Sequence, residues 1–250
     1  MEELVSRKNP WLSGLRKLNA TPAARREAGA FLCEGPKLVG EALKWGWGVS
    51  ALVGLAEKLP VGPEGVRRVA VPEDVLKSLS DVESPQGVLA VCALPDTRLP
   101  DKLPGGRYLV LDGVQDPGNL GTVWRTADAF GAAGLLLTGP CADPFGPKAV
   151  RASMGACFRL PVWRGTAEEI KAALDVAGIP LYATALRPDA ADVREARLGE
   201  AAVVVGSEGQ GVSEEVLALC ERTLIIPMES RCESLNAAVA AAVVLWEMYR

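Results

Sequence analysis

Beyond Arg107 short apolar runs alternate with amphipathic stretches, and no other property of the sequence restricts the fold so much. Strands are expected at 107–112, 134–137, 181–184, 201–205 and 223–226, with helices over 120–130, 168–177 and 214–219 between them. Strands that read as unbroken apolar runs separated by helices assemble into a parallel sheet covered on both faces. The fold class expected is therefore α/β, and such sheets hold ligands at the carboxyl ends of their strands. The last helix, opening at Ala237, is almost all alanine and valine at first. Small residues on every side let a helix lie against another backbone, so deep burial of 237–244 is expected.

The front of the chain has a different texture. A helix is expected over 11–30, where Trp11, Leu12, Leu15 and Leu18 share a face. A strand at 31–33, a helix over 37–44, strands at 51–53, 66–71 and 87–91 and a helix over 74–79 complete this part. Residues 94–106 are rich in proline, glycine and charge without periodicity, which predicts a linker. The division expected is a smaller α/β domain over 1–95, a linker over 96–106 and the parallel-sheet domain over 107–250.

Composition removes whole classes of chemistry. The chain of 250 residues is long enough to bury a real core, and it contains no histidine. Ser-His-Asp and Cys-His nucleophilic sites, histidine general bases and nearly all zinc hydrolase designs are thereby excluded. Chemistry must run on carboxylates, hydroxyls, amides, arginine or a cofactor. The six cysteines form no C-x-x-C pair and read as small buried hydrophobes of a reducing compartment, with no metal site. The amino terminus is charged with no apolar core behind it, and the longest apolar run, 237–246, is too short to span a bilayer, so a cytoplasmic protein with no membrane partner is expected. Residues 1–45 hold eight Lys/Arg against five Glu, leaving −7 on the remainder of a chain whose net charge is −4. That suits RNA binding by one part of the molecule; a solvated amphipathic helix explains the same charges.

Three junctions fall where predicted strands meet loops. In 112–125, glycines 118 and 121 leave room for close approach, Asn119 stands at an expected helix N-cap, and Thr122 and Arg125 share a helix face. A structural salt bridge is the alternative role for Arg125. In 203–211 a strand runs into Gly206-Ser207-Glu208-Gly209-Gln210-Gly211. A dinucleotide fingerprint would sit on the first strand of its fold, with more chain after it; this loop reads better as a backbone-lined pocket holding the Glu208 carboxylate. In the third, Ile226-Pro227-Met228 ends a strand and Glu233-Ser234-Leu235-Asn236 opens the last helix, where Ser234 taken alone is an N-cap. Three such junctions at the carboxyl ends of parallel strands point to one ligand site.

Taken in order, Asn119-x-x-x-x-x-Arg125, Gly206-Ser207-Glu208-Gly209-x-Gly211 and Ile226-Pro227-Met228 with Glu233-Ser234-Leu235-Asn236 resemble the three motifs of the SpoU (TrmH) class of SPOUT RNA methyltransferases. The resemblance spans about 107–250. The stretch 148–156 resembles the subgroup acting on ribosomal RNA, and 1–95 resembles that subgroup's RNA substrate-binding domain through Asn9-Pro10, Phe31-Leu32-Cys33-Glu34-Gly35 and Ser84-Pro85-Gln86-Gly87. It implies a deep trefoil knot that makes both an S-adenosyl-L-methionine pocket and a homodimer interface. It implies methyl transfer to a ribose 2′-hydroxyl of RNA, ribosomal RNA before tRNA. Arg125 would be the principal catalytic residue, with Asn119, Glu208, Ser234 and Asn236 shaping the site. Gly206, Gly211, Ile226, Met228 and Leu235 would bind the cofactor, largely through backbone groups. A non-catalytic RNA-binding or assembly protein and a nucleotide-dependent oxidoreductase are the competing readings.

A guanidinium is almost never deprotonated, so Arg125 is expected to grip an RNA phosphate or the developing alkoxide and not to act as a base. Arg125→Lys should therefore lose most of its turnover while still binding S-adenosylmethionine. Near-normal methyl incorporation with intact cofactor binding would overturn that assignment.

Overall fold

The computed structural model describes residues 1–229, 231–232 and 234–250. The chain forms two compact units, one of Met1–Pro95 with Phe145–Phe158, the other of Asp96–Pro144 with Arg159–Arg250.

The first unit contains β1 (Glu2–Glu3), α1 (Pro10–Ala20), α2 (Pro22–Ala28), β2 (Ala30–Glu34), α3 (Pro36–Lys44), β3 (Val49–Gly54), β4 (Arg67–Ala70), α4 (Glu73–Leu79) and β5 (Val88–Ala93). Its sheet runs in the order β1-β4-β3-β5-β2, with β1, β4 and β3 parallel and β5 antiparallel to both β3 and β2. One core cluster joins Leu12, Leu15 and Leu18 of α1 to Val53, Val69, Leu76 and Leu79. The single helix expected over 11–30 is two helices. Pro22 lacks an amide proton and disfavours helical geometry in the residue before it, so Thr21 is extended (φ −139°, ψ 141°) and its Oγ1 caps α2. Gly29 in the left-handed region (φ 58°) then ends α2 and turns the chain into β2.

The basic front of this unit is smaller than its composition suggests. Arg25 is buried, donating Nη1 to the Leu18 carbonyl; Arg7 pairs with Asp74; Arg16 donates to Ser78 and to the Arg7 carbonyl. Lys8, Lys17, Arg26, Lys37 and Lys44 stay exposed.

The second unit contains β6 (Tyr108–Asp112), α5 (Pro117–Ala129), β7 (Gly134–Thr138), β8 (Val162–Arg164), α7 (Ala167–Ala177), β9 (Leu181–Thr184), β10 (Ala191–Asp192), β11 (Ala202–Gly206), α8 (Glu214–Leu219), β12 (Arg222–Ile225) and α9 (Ala237–Tyr249). The intervening helix α6 (Pro147–Ser153) belongs to the first unit. Among the described residues its seven strands are all parallel, in the order β10-β12-β9-β11-β6-β7-β8. The mixed α/β architecture with a parallel sheet agrees with the expectation from sequence, and β6, β7 and β11 are buried along their whole length. The short strands β8 and β10 are additions, too brief to carry a sequence period of their own.

Two expectations fail here. Residues 96–106 are no free linker: Thr97 accepts from the Arg164 amide (2.7 Å) and Leu103, 1% exposed, packs into the core beneath α7. Burial in α9 is one-sided. Ala237, Ala238, Ala241, Val244, Leu245 and Met248 form the buried stripe, while Val239 is 50% and Trp246 52% exposed. The cysteine reading holds for Cys33, Cys92 and Cys157; Cys141 and Cys220 are half-buried and Cys232 is exposed. Among the described residues, no helix is long and apolar enough to cross a membrane.

Phe145 and Phe158 complete the first unit's core. Phe31, fully buried on β2, has its ring centroid 4.9 Å from that of Phe145 and 6.2 Å from that of Phe158; Trp47 meets Phe158 edge-on at 5.4 Å. Phe31→Ala is therefore expected to destabilise the protein by about 3–5 kcal/mol in urea unfolding. A loss below about 1 kcal/mol would mean that 145–158 contributes little to this core.

Candidate functional site

Parallel pairing sets the site before any side chain is considered. Gly206 stands in register with Asp112, and β9 lies between β11 and β12, with Val204 opposite Ala183 and Leu224 opposite Thr184. The ends of β6, β11, β9 and β12 thus arrive side by side. A cavity of ≈ 370 Å³ opens at the ends of β9, β11 and β12, within the roughly 300–1,000 Å³ of small-ligand sites.

Its floor is the glycine turn. Ser207 N donates to the Gly211 carbonyl (3.2 Å) and Gly211 N to the Ser207 carbonyl (2.9 Å), closing the loop on itself. Glycine at 206 is obligatory, because a Cβ there would lie 2.0 Å from the carbonyl carbon of Gly211. Gly211 has φ +68° and serves the turn by conformation instead. The buried carboxylate of Asp112 accepts the Ser213 amide at 2.7 Å, tying the far end of the loop to β6, and Ser213 caps α8 in turn. A buried carboxylate needs such a donor.

The wall is apolar and mostly from the third junction. Ile226, Met228 and Leu235 line it with Val205 and Leu224, and Ser234 and Glu208 supply polar edges. Glu233, part of the same motif, lies outside the described residues.

A chain of side-chain hydrogen bonds joins the three junctions. Asn236 is the N-cap of α9, its Oδ1 accepting from the amides of Ala238 (2.9 Å) and Val239 (3.3 Å). With that oxygen committed, its amide group donates to Asn119 Oδ1 (3.3 Å), and Asn119 donates in turn to Glu208 Oε1. The carboxylate can only accept, so the start of α9 fixes the direction of every bond in the chain.

Two cap assignments are corrected. Asn119 is the third residue of α5, not its N-cap: Asp116 caps by accepting the Asn119 amide (2.8 Å), with Pro117 at the first helical position where a missing N–H costs nothing. Ser234 does not cap α9, since Asn236 does. Both displacements free a side chain for the cavity or its rim. The structure therefore gathers Asn119, Glu208, Ser234, Asn236, Gly206, Gly211, Ile226, Met228 and Leu235 at one place. Arg125 stands apart. It lies six residues along α5 from Asn119, about 9 Å up the axis, on the exposed face, outside the cavity wall and with no ion pair to any described residue. A structural salt bridge within the described chain is thus not its role.

The cavity also has a wall that sequence reasoning missed, Thr184 to Arg187 at the end of β9. That strand was expected, but only the sheet order reveals that its end lies between the second and third junctions.

Comparison with known proteins matches two families to separate stretches of the chain. The SpoU rRNA Methylase family matches residues 106–246 and the MRM3-like substrate binding domain matches residues 9–90. The chain is 36% identical to the 23S rRNA (guanosine(2553)-2′-O)-methyltransferase of Bacillus subtilis, over 99% of both chains. It is 34% identical to the 23S rRNA (uridine(2479)-2′-O)-methyltransferase of Streptomyces viridochromogenes, covering 90% of this chain and 84% of that one. The crystal structure of an AdoMet-bound rRNA methyltransferase from Sinorhizobium meliloti superposes with a TM-score of 0.89 at 34% identity, covering 99% of this chain and 97% of that chain.

Gly206→Ala must push two backbone segments apart and should cost about 3 kcal/mol together with cofactor binding. Gly209→Ala, where a Cβ meets nothing within 4 Å, should leave both nearly unchanged. Thermal unfolding and calorimetric titration with S-adenosylmethionine measure the pair, and equal behaviour of the two variants would refute the close approach at Gly206.

Proposed function

The chain belongs to the SpoU rRNA methylase family, and we propose that it transfers a methyl group from S-adenosylmethionine to a ribose 2′-hydroxyl of ribosomal RNA. The observation that carries this reading is the Asn236–Asn119–Glu208 chain on the rim of a glycine-floored cavity. The likeness to two 23S rRNA 2′-O-methyltransferases, over most or all of each chain, supports it. Those relatives modify a guanosine and a uridine, so the shared chemistry is that of the ribose, which is also what separates RNA from DNA.

The cavity suits the cofactor by its chemistry. An apolar wall of Val205, Leu224, Ile226, Met228 and Leu235 fits an adenine ring, and the backbone around Gly206 and Gly211 offers donors and acceptors that no side chain obstructs. Bound there, S-adenosylmethionine supplies a methyl group made electrophilic by its sulfonium. The protein's part is to hold the ribose oxygen in line with it and to accept its proton. Glu208 is the only carboxylate of the cavity wall among the described residues, and Asn119 holds it in place. The role assigned to Arg125, exposed and without an ion-pair partner in the described chain, is to grip a phosphate beside the target ribose and stabilise charge developing on the oxygen. A neighbouring phosphate oxygen is a second acceptor for the proton.

The same reading assigns RNA binding to the first unit through Lys8, Lys17, Arg26, Lys37 and Lys44, in the cytoplasm. It also includes a knotted path of the chain at the glycine turn, consistent with the close approach of Gly206 to Gly211. A second copy of the chain would cover the face of α9 that leaves Val239 and Trp246 open.

The test is methyl incorporation into ribosomal RNA from S-adenosylmethionine, followed by mapping of the modified nucleotide. Replacing that nucleotide by its 2′-deoxy form should abolish incorporation. Incorporation that survives the replacement would move the reaction to a base, and none at all into ribosomal RNA would overturn the proposal.

A further inference from the structure

Of the residues lining the cavity, two are charged among those described: Glu208 and Arg187. Arg187 lies just beyond β9, outside all three motifs. Its Nη2 contacts both carboxylate oxygens of Glu214 at 2.9 and 2.8 Å, while its other guanidinium nitrogens bond to no described residue. The Glu214 side chain is 84% exposed and the Arg187 side chain 40%, so the pair is screened and contributes little to stability. It parks the guanidinium at the cavity edge without consuming it.

We infer that Arg187 is the binding residue for the α-carboxylate of the cofactor's amino-acid moiety. The inference rests on the reading of the cavity as an S-adenosylmethionine site and goes beyond it by assigning one end of the ligand. That ligand carries two positive groups, the sulfonium and the α-ammonium, and one negative group. The methyl must point toward the Asn119–Glu208–Asn236 rim, which puts positive charge beside Glu208. The carboxylate is repelled by Glu208 and finds a single cation in the described wall. Guanidinium presents paired N–H groups that match a carboxylate, and the resulting charge-assisted bonds outweigh the exposed contact to Glu214. The glycine turn and the apolar wall recognise the nucleoside; Arg187 recognises the amino acid.

Two ligands that differ in this moiety separate the roles. S-adenosylhomocysteine retains the amino acid, and 5′-methylthioadenosine lacks it while keeping the nucleoside and the sulfur. In calorimetric titrations of the full-length protein, Arg187→Ala should weaken S-adenosylhomocysteine by about ten- to hundredfold. It should leave 5′-methylthioadenosine within about twofold, which also shows that the variant is folded. Arg187→Lys should recover part of the loss, and Glu214→Ala, by releasing the guanidinium, should not weaken S-adenosylhomocysteine. Equal weakening of both ligands by Arg187→Ala would make Arg187 a structural part of the wall, and no weakening of either would leave it without a role; each overturns the inference. Failure of the wild-type protein to bind either ligand would instead overturn the cofactor reading beneath it.

Discussion

The backbone hydrogen bonds that hold β12, β9, β11 and β6 parallel determine everything at the cavity. Parallel strands point their carboxyl ends the same way, so residues far apart in sequence arrive at one edge without any side chain directing them there. Gly206 and Asp112 are neighbours because Ala202 pairs with Tyr108 four residues earlier. Once that edge exists, its details follow from crowding: a loop must turn back hard against β11, and only glycine at 206 lets the backbone of Gly211 come so close.

Direction in the site comes from a helix end. The first amides of α9 lack intrahelical partners and are met by the Asn236 oxygen. That single commitment passes outward through two amide groups and ends on a carboxylate. Fixed donors and acceptors of this kind need no reorganisation when charge appears, which is where preorganised polar groups act most strongly.

Much of this was legible in the sequence. Unbroken apolar runs such as Tyr108–Asp112 announce buried parallel strands, and the glycine-rich and Ser/Asn-rich junctions announce loops that meet a ligand. What escaped was whatever depends on neighbours distant in sequence. Thr184 to Arg187 carry no motif, and their place on the cavity wall follows from strand order alone. The caps shifted by two or three residues because a helix start is decided by which polar side chain reaches the free amides; Asp116 and Asn236 win that competition over Asn119 and Ser234. The stretch 96–106 has a linker's composition, yet Leu103 anchors it in the core with Leu99 packed against the same cluster, and two leucines among prolines and glycines are too weak a signal to notice.

Phe145–Phe158 is encoded inside the second unit but finishes the core of the first. A ribosome making this chain has long passed Pro95 before the aromatic residues that Phe31 needs have been added. A product of the first 95 residues lacks Phe145 and Phe158, and β6, α5 and β7 emerge before those two rings can pack on Phe31. Domains ordinarily mature one after another from the amino terminus; in this molecule the two units are bound to a shared schedule. For the same reason neither unit is one continuous segment of the chain. Any graft must carry two segments of chain, and the cut at 95 alone severs a core instead of a boundary.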